Sequence, residues 1–328
     1  PLEWRACLRR WHTLNKGKKQ LVDDQLAPDR NDEALLYQSL VGTWPFESMD
    51  ASHYQVFCNR IQRYMAKATR EAKVHTSWVN PNEEYDEAVH NFIKAILDQT
   101  ESSAFLDDLL SFQAKIAQYG IYNSLSQLLF KIVAPGVPDF YQGNELWDFS
   151  LVDPDNRRPV DFTVRKTMLR ELRQAMREAS RGLIPLIRDL VKTRADGRIK
   201  LYVTMVALHF RQSHASLFQN GEYIPVHGIG ENRDYTCAFA RRYGDQSVIA
   251  VIPCRVVHLL SDVMNPPIGF AVWGETWIGL PFDQPKSRYR NIFTGEMLTS
   301  TMVAGQPAIP LASVLGKFPV AMLECITS

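Results

Sequence analysis

Apolar residues recur at helical spacing through the first part of the chain, where Trp4, Leu8 and Trp11 fall at i, i+4 and i+7. Tyr54, Phe57, Ile61, Tyr64, Met65 and Ala68 repeat that stripe over several turns. A helix start is predicted at Asn80-Pro81-Asn82-Glu83. Asn80 supplies an N-cap acceptor, Pro81 tolerates the first helical position because its missing N–H would have no partner there, and Glu83 reaches back from the third. The stripe Tyr85, Val89, Phe92, Ile93 and Ile96 follows as the buried face. With further helices near 33–43, 103–117 and 122–134, region 1–134 reads as all-α, with about six helices.

At Pro135-Gly136-Val137-Pro138 the helical pattern stops, because proline removes a donor and clashes with the preceding turn. A short strand, Val137 to Tyr141, is expected next, then a polar loop from Gly143 to Phe162. A basic helical stretch follows over 164–218, interrupted at Gly182 and at Asp196-Gly197. From Gly221 the texture becomes alternation: Tyr223, then runs over 235–240, 248–252, 271–273, 289–293 and 320–323, with turn signals at Gly244-Asp245 and Thr294-Gly295. These predict an antiparallel β-domain of seven or eight strands.

The chain's 328 residues exceed one ordinary domain of ~150. A hydrophobic content of 45% with 22% charged residues excludes a wholly disordered, collagen-like or coiled-coil chain. Basic and acidic residues nearly cancel, 37 against 36, so no global field draws nucleic acid or an anionic membrane. The longest unbroken apolar run, Val248 to Pro253, falls far short of the ~20 residues that span a bilayer, and no signal peptide opens the chain. Five cysteines without a C-x-x-C pattern read as reduced thiols, so a soluble cytoplasmic protein is expected. The opening Pro1-Leu2-Glu3-Trp4 lacks Met and already lies within a helical pattern, as expected of a piece of something longer.

Chemistry concentrates between Glu145 and Asp161. Glu145, Asp148, Asp153, Asp155 and Asp161 lie there with Asn156, Arg157, Arg158 and several aromatics. Carboxylates and arginines bond vicinal hydroxyls in pairs, and Tyr141 and Trp147 offer faces for sugar rings, so the segment suits polyol recognition. It suits equally a solvated turn whose Asp and Arg residues pair with each other. Its place on a loop beside helices and a strand tilts the balance toward function.

The run Pro135-Gly-Val-Pro-Asp-Phe-Tyr-Gln-Gly-Asn-Glu145 resembles the eighth barrel strand of the α-amylase superfamily, glycoside hydrolase family 13. The continuation Leu151-Val-Asp-Pro-Asp-Asn-Arg-Arg-Pro-Val-Asp161 resembles one branch of it, the maltooligosyltrehalose synthases. So do Leu2-Glu-Trp4, Lys67-Ala-Thr-Arg-Glu-Ala-Lys73 leading into Thr76-Ser-Trp-Val-Asn-Pro-Asn82, Asp196-Gly-Arg-Ile-Lys-Leu201, Leu217-Phe-Gln-Asn-Gly-Glu-Tyr-Ile-Pro225 and Phe318-Pro-Val-Ala321. That resemblance covers essentially the whole chain. It implies the C-terminal part of a bacterial enzyme that turns the reducing-end α-1,4 link of a maltooligosaccharide into an α,α-1,1 link.

The family's three catalytic carboxylates have no counterpart here and are expected upstream of Pro1, so this chain alone is expected to be inactive. The resemblance implies an α+β multidomain architecture: 1–134 as a helical insertion between barrel strands seven and eight, 135–218 as strand eight, its substrate loop and the last helices of a TIM barrel, and 219–328 as an antiparallel β-sandwich. Asp153, Asp155, Asn156, Arg157 and Arg158 are expected to hold the reducing-end sugar, and Tyr141, Gln142 and Glu145 to shape the barrel mouth. A lone eighth strand exposes unpaired N–H and C=O groups, so it should pair with another chain, lie against helices or be irregular. The alternatives are a non-catalytic glucan-binding module and part of another hydrolase of the superfamily. The expected partners are the glucan substrate and the missing N-terminal barrel part.

Elsewhere bland readings prevail. Thr76-Ser77-Trp78 with Lys67, Arg70 and Lys73 suits a Trp packed under a loop better than a glucan-facing patch. The basic surplus over 165–200 lacks interleaved aromatics and reads as a solvated helix face, not a nucleic-acid surface. His209 and His214 do not share a helical face, so no metal is expected, and Gly228-Ile229-Gly230 lacks the setting of a dinucleotide loop, so no cofactor is expected. Trp273 and Trp277 read as packing residues in preference to a sugar platform.

Overall fold

The computed structural model describes residues 2–179, 182–280 and 287–326, and these pack as two compact units. The first comprises residues 1–117 and 149–159, the second 118–148 and 160–328. Packing therefore partitions the chain differently from sequence texture: one helix serves both units, and a loop returns to the first.

The first unit contains α1 (Leu2–Asn15), a hairpin of β1 (Gln20–Val22) and β2 (Gln25–Ala27), α2 (Arg30–Thr43), α3 (Ala51–Ala72), α4 (Glu83–Ile96) and the first half of α5 (Ser103–Val133). Trp11 anchors its core, fully buried and edge-on to Trp4, Tyr37, Phe105 and Phe112. Its indole Nε1 donates to Asp108 at 2.6 Å, so the polar tip is paired as well as the ring. Asp29 and Asp50 cap α2 and α3, accepting from backbone N–H groups of their first turns.

Three expectations for this region need correction. Helix α4 starts two residues later than predicted, with Asn82 as its cap accepting from Tyr85 N, because Asn80 is committed to a turn with Ser77. The helices expected at 103–117 and 122–134 are one, since a single glycine, Gly120, costs only ~1 kcal/mol and the buried Ile121, Tyr122 and Leu125 outweigh it. The β1–β2 hairpin escaped the helical reading because each strand is only three residues long.

In the second unit the expected strand Val137–Tyr141 is irregular. A strand is a pairing, and no ladder partner reaches it among the described residues. The predicted helical stretch resolves into α6 (Phe162–Glu178), α7 (Ile184–Lys192), α8 (Arg198–Ser213) and α9 (Ala215–Asn220), with Gly197 in the left-handed region at the break before α8. The remainder is antiparallel: β3 (Glu222–Val226), β4 (Gly228–Ile229), β5 (Thr236–Tyr243), β6 (Gln246–Pro253), β7 (Trp277–Gly279), β8 (Arg288–Asn291), β9 (Met297–Thr299), β10 (Thr301–Val303), β11 (Gln306–Pro310) and β12 (Ala321–Ile326). They form a six-stranded sheet, β3-β5-β6-β12-β8-β9, and a four-stranded one, β10-β11-β7-β4.

The apolar run in β6 is buried on both faces, as its central place in the larger sheet demands. One apolar cluster gathers Val226, Ala240, Ile249, Val251 and Leu323 of that sheet with Ile278 and Ile309 of the other. Residues 271–273, expected as strand, instead close a short helix, Phe270–Trp273, whose Trp273 is buried in that cluster and donates to Pro267 O. Among the described residues no helix is long and apolar enough to cross a membrane.

Gly221 joins α9 to β3 in a crowded place, where an added Cβ would lie 2.2 Å from Leu217 O and 3.0 Å from Arg242 O. Both are backbone atoms and cannot swing away. Gly221→Ala is therefore expected to destabilise the second unit by about 1–3 kcal/mol, read as a lowered urea midpoint at unchanged slope.

Candidate functional site

The loop Phe149–Pro159 belongs to the first unit and is fastened to α3. Arg60 of α3 places Nε 2.9 Å from Asp155 Oδ1 and one Nη 2.8 Å from Oδ2, a forked pair. The same Nη group donates to Phe149 O at 2.7 Å. Two turns further along α3, Lys67 donates to Asp153 O. Asp155 also accepts from Leu151 N at 2.7 Å, and Arg158 Nε lies 3.1 Å from its Oδ1. Burial pushes the Asp155 carboxyl up, but the bonds from Arg60 and Leu151 and the charges of Arg60 and Arg158 outweigh it and hold it below the usual carboxylate range. Around this knot Arg157 pairs with Asp153, and Arg158 donates to Ser150 Oγ at 3.2 Å. Asn156 sits in a short 3₁₀ turn with its Oδ1 buried and without a partner among the described residues. A buried acceptor without a donor is uncommon in a folded protein.

Tyr141, Gln142 and Glu145 lie in the second unit. Tyr141 is 46% exposed and Gln142 is exposed in the turn that follows it. Glu145 pairs with Arg165 of α6 at 3.3 Å, and an Nη of the same guanidinium donates to Gly143 O at 2.6 Å. Here Gly143 has φ +89°, a conformation that favours glycine. The structure thus brings Asp153, Asp155, Asn156, Arg157 and Arg158 together in one loop and assigns Tyr141, Gln142 and Glu145 to the other unit.

Sequence reasoning missed Arg60 as the partner of Asp155, because helix and loop are far apart in the chain. No signal singles Arg60 out, because it is one of several polar residues, with Asn59, Gln62, Arg63 and Lys67, on an amphipathic helix. It also missed a group formed by Asp29, Asp32 and His75, whose candidate ligand atoms all lie within 4.8 Å of one another. These atoms already have work: Asp29 caps α2, His75 Nε2 lies 2.9 Å from Asp29 Oδ2, and Tyr85 donates to Asp32 at 2.6 Å. Trp78, read as packed beneath a loop, is exposed with the Arg70 guanidinium 4.9 Å from its ring centre.

No family model matches the chain. A curated protein of Mycobacterium tuberculosis (strain H37Rv), provisionally named a maltooligosyl trehalose synthase, is 35% identical over 225 residues, which is 69% of this chain and 25% of that protein. The solved maltooligosyltrehalose synthase of Arthrobacter ramosus superposes with a TM-score of 0.73 at 26% identity, covering 99% of this chain and 35% of that one. A Sulfolobus tokodaii structure, described as a hypothetical maltooligosyl trehalose synthase, gives 0.62 at 29% identity over 98% of this chain and 34% of its own. The chain thus spans about a quarter to a third of these relatives.

Proposed function

Sequence and fold together relate this chain to the maltooligosyltrehalose synthases, of which it spans a part, and from that premise we propose that it is the C-terminal portion of an intramolecular transglucosylase of this kind. In this reading 1–134 is the insertion between barrel strands seven and eight, 135–218 carries the segment that corresponds to strand eight, irregular in this chain, with its substrate loop and helices, and 219–328 is the C-terminal β-sandwich. The catalytic carboxylates lie outside the chain. One of them breaks the reducing-end α-1,4 bond by attacking the anomeric carbon, a second protonates the departing oxygen, and the anomeric hydroxyl of the freed glucose then displaces the enzyme carboxylate. The outcome depends on holding that glucose while it turns and on keeping water away.

The observation that carries this reading is the loop Phe149–Pro159, held in form by α3. Arg60 and Lys67 fix its backbone, and Asp155 serves by fixing its form. Asn156 holds a buried acceptor that lacks a donor, and the exposed Arg157 and Arg158 head groups supply donors that match vicinal hydroxyls. Tyr141, Gln142 and Glu145 are the candidate sugar contacts of the second unit.

In a full-length synthase, Arg158→Ala is expected to raise hydrolysis relative to trehalosyl product by several-fold, about the loss of one charge-assisted hydrogen bond. Product analysis on maltopentaose tests this, and an unchanged ratio removes Arg158 from the acceptor site. The 328-residue chain alone is expected to form no trehalosyl product. Turnover by it refutes the placement of the catalytic groups outside the chain, and glucan binding by it without turnover favours the binding-module alternative.

A further inference from the structure

A pocket of about 190 Å³ in the second unit is lined by Ser124, Gln127, Leu128 and Lys131 of α5, Asn144 of the turn and Lys200 of α8. Two of its walls are ammonium groups. Lys200 is only 9% exposed, its Nζ donating to Leu146 O at 3.0 Å and lying 5.5 Å from the Trp147 ring centre. Lys131 donates to Asp139 O at 2.7 Å and lies 4.0 Å from the Phe140 ring centre. Among the described residues neither ammonium has a carboxylate within 4.0 Å. Each has three N–H donors, one of them committed to a carbonyl. Carbonyls and ring faces attract a cation without neutralising it, and a buried ammonium such as Lys200 is costly without a directly paired anion. The lining offers further neutral donors, the Ser124 hydroxyl and the Gln127 amide.

We propose that this pocket binds a phosphate-class oxyanion between Nζ of Lys131 and Nζ of Lys200. The carboxylates of Asp148 and Glu145 act on Lys200, and that of Asp139 on Lys131, only from beyond ion-pair distance, so an anion between the two ammonium groups supplies the direct contact they lack and uses the spare N–H donors of both. A neutral sugar offers hydroxyls but no charge, and a bare cation is repelled. The local electrostatics agree with this. Burial lowers Lys200 to about 8, with the Lys131 charge acting in the same direction and the carboxylates of Asp148 and Glu145 opposing it. Burial likewise lowers Lys131, with the Asp139 carboxylate opposing it. The inference is independent of the transglucosylase reading.

The test is calorimetric titration and thermal denaturation of this chain with inorganic phosphate, glucose 6-phosphate and glucose. Both anions, or one of them, are expected to bind and raise Tm while glucose does not, and the tighter of the two identifies a free ion or a phosphate ester as the source. Lys131→Met is expected to weaken binding about tenfold or more. Lys200→Met is expected to abolish it, and because that residue is buried, a titration series with sulfate stands beside the variant. Sulfate keeps its charge across neutral pH, so its affinity should fall as the pH rises through about 8 and Lys200 loses its proton. Absence of a shift with either anion, an equal shift with glucose, full binding by Lys131→Met, or a sulfate affinity flat across that range each overturns the proposal.

Discussion

Arg60→Ala is expected to destabilise the first unit by about 3 kcal/mol and, in a full-length synthase, to raise KM for maltooligosaccharide. The side chains of Arg60 and Asp155 are 15% and 12% exposed, so removing the guanidinium strands a carboxylate that water reaches poorly. It also frees Phe149 O, one of the points where the loop meets α3. The loss should therefore exceed that of a surface ion pair, which is typically below ~1 kcal/mol. Asp155→Asn keeps the size and some hydrogen bonding of the original and should cost less. The acid limb separates the two contributions. A carboxyl whose folded value is depressed binds protons less readily in the folded state than in the unfolded one, so the stability it contributes is full above the ordinary value of about 4 and fades as the pH falls below it. Urea unfolding of the first unit between about pH 5 and 3 should show a shallower acid loss in Asp155→Asn than in the parent. A parallel pair of curves would show that Asp155 is not the group titrating.

The second large effect is expected at Arg241 of β5. Its guanidinium is 2% exposed and faces backbone oxygens: Gly221 O at 2.7 Å, Phe218 O at 3.0 Å, Val133 O at 3.3 Å and, from Nε, Glu222 O at 3.3 Å. One side chain thus ties the C-terminal end of α5, the last turn of α9 and the start of β3 to the sheet. Arg241→Ala leaves these carbonyls without their donor and opens a cavity, at an expected cost of about 4–5 kcal/mol to the second unit. Arg241→Lys should recover little, because one compact ammonium cannot span oxygens fanned across three segments. Circular dichroism against urea measures both. Recovery of most of the stability by lysine would show that charge, not the fork, is what matters at this position.

The repeating apolar spacing made α1, α3 and α4 legible, since each stripe reports one buried face. The alternation over 235–240 and the unbroken apolar run over 248–252 likewise located β5 and β6. Features that depend on distant partners were not legible. The segment over 137–141 has a strand's composition but no ladder, and residues 271–273 have a strand's alternation but sit where Gly269 and Gly274 turn the chain through positive φ. Asn80 and Asn82 are equally good caps by type, and only the Ser77 turn decides between them. In the candidate site, density of charge drew attention to Asp153 to Arg158, which lie on one loop of the first unit. That Arg60 and Lys67 hold it was hidden, because 95 and 86 residues separate the partners. The two lysines of the proposed anion pocket were equally hidden, one on a helix whose basic residues read as solvated.

Helix α5 puts Phe105, Leu109 and Phe112 into one core and carries Leu125, Leu129 and Ile132 as buried residues of the other unit. The chain then crosses back at residue 149 and out again at 160. No single peptide bond separates the two units, so a protease that nicks the loop over 149–159 yields two fragments that each carry parts of both. Swapping either unit for that of a relative would require three matched junctions, one of them in mid-helix, where a mismatch in helical phase of even one residue rotates the apolar face by about 100°. Recombination between such genes should therefore be tolerated outside residues 103–160 and punished within them.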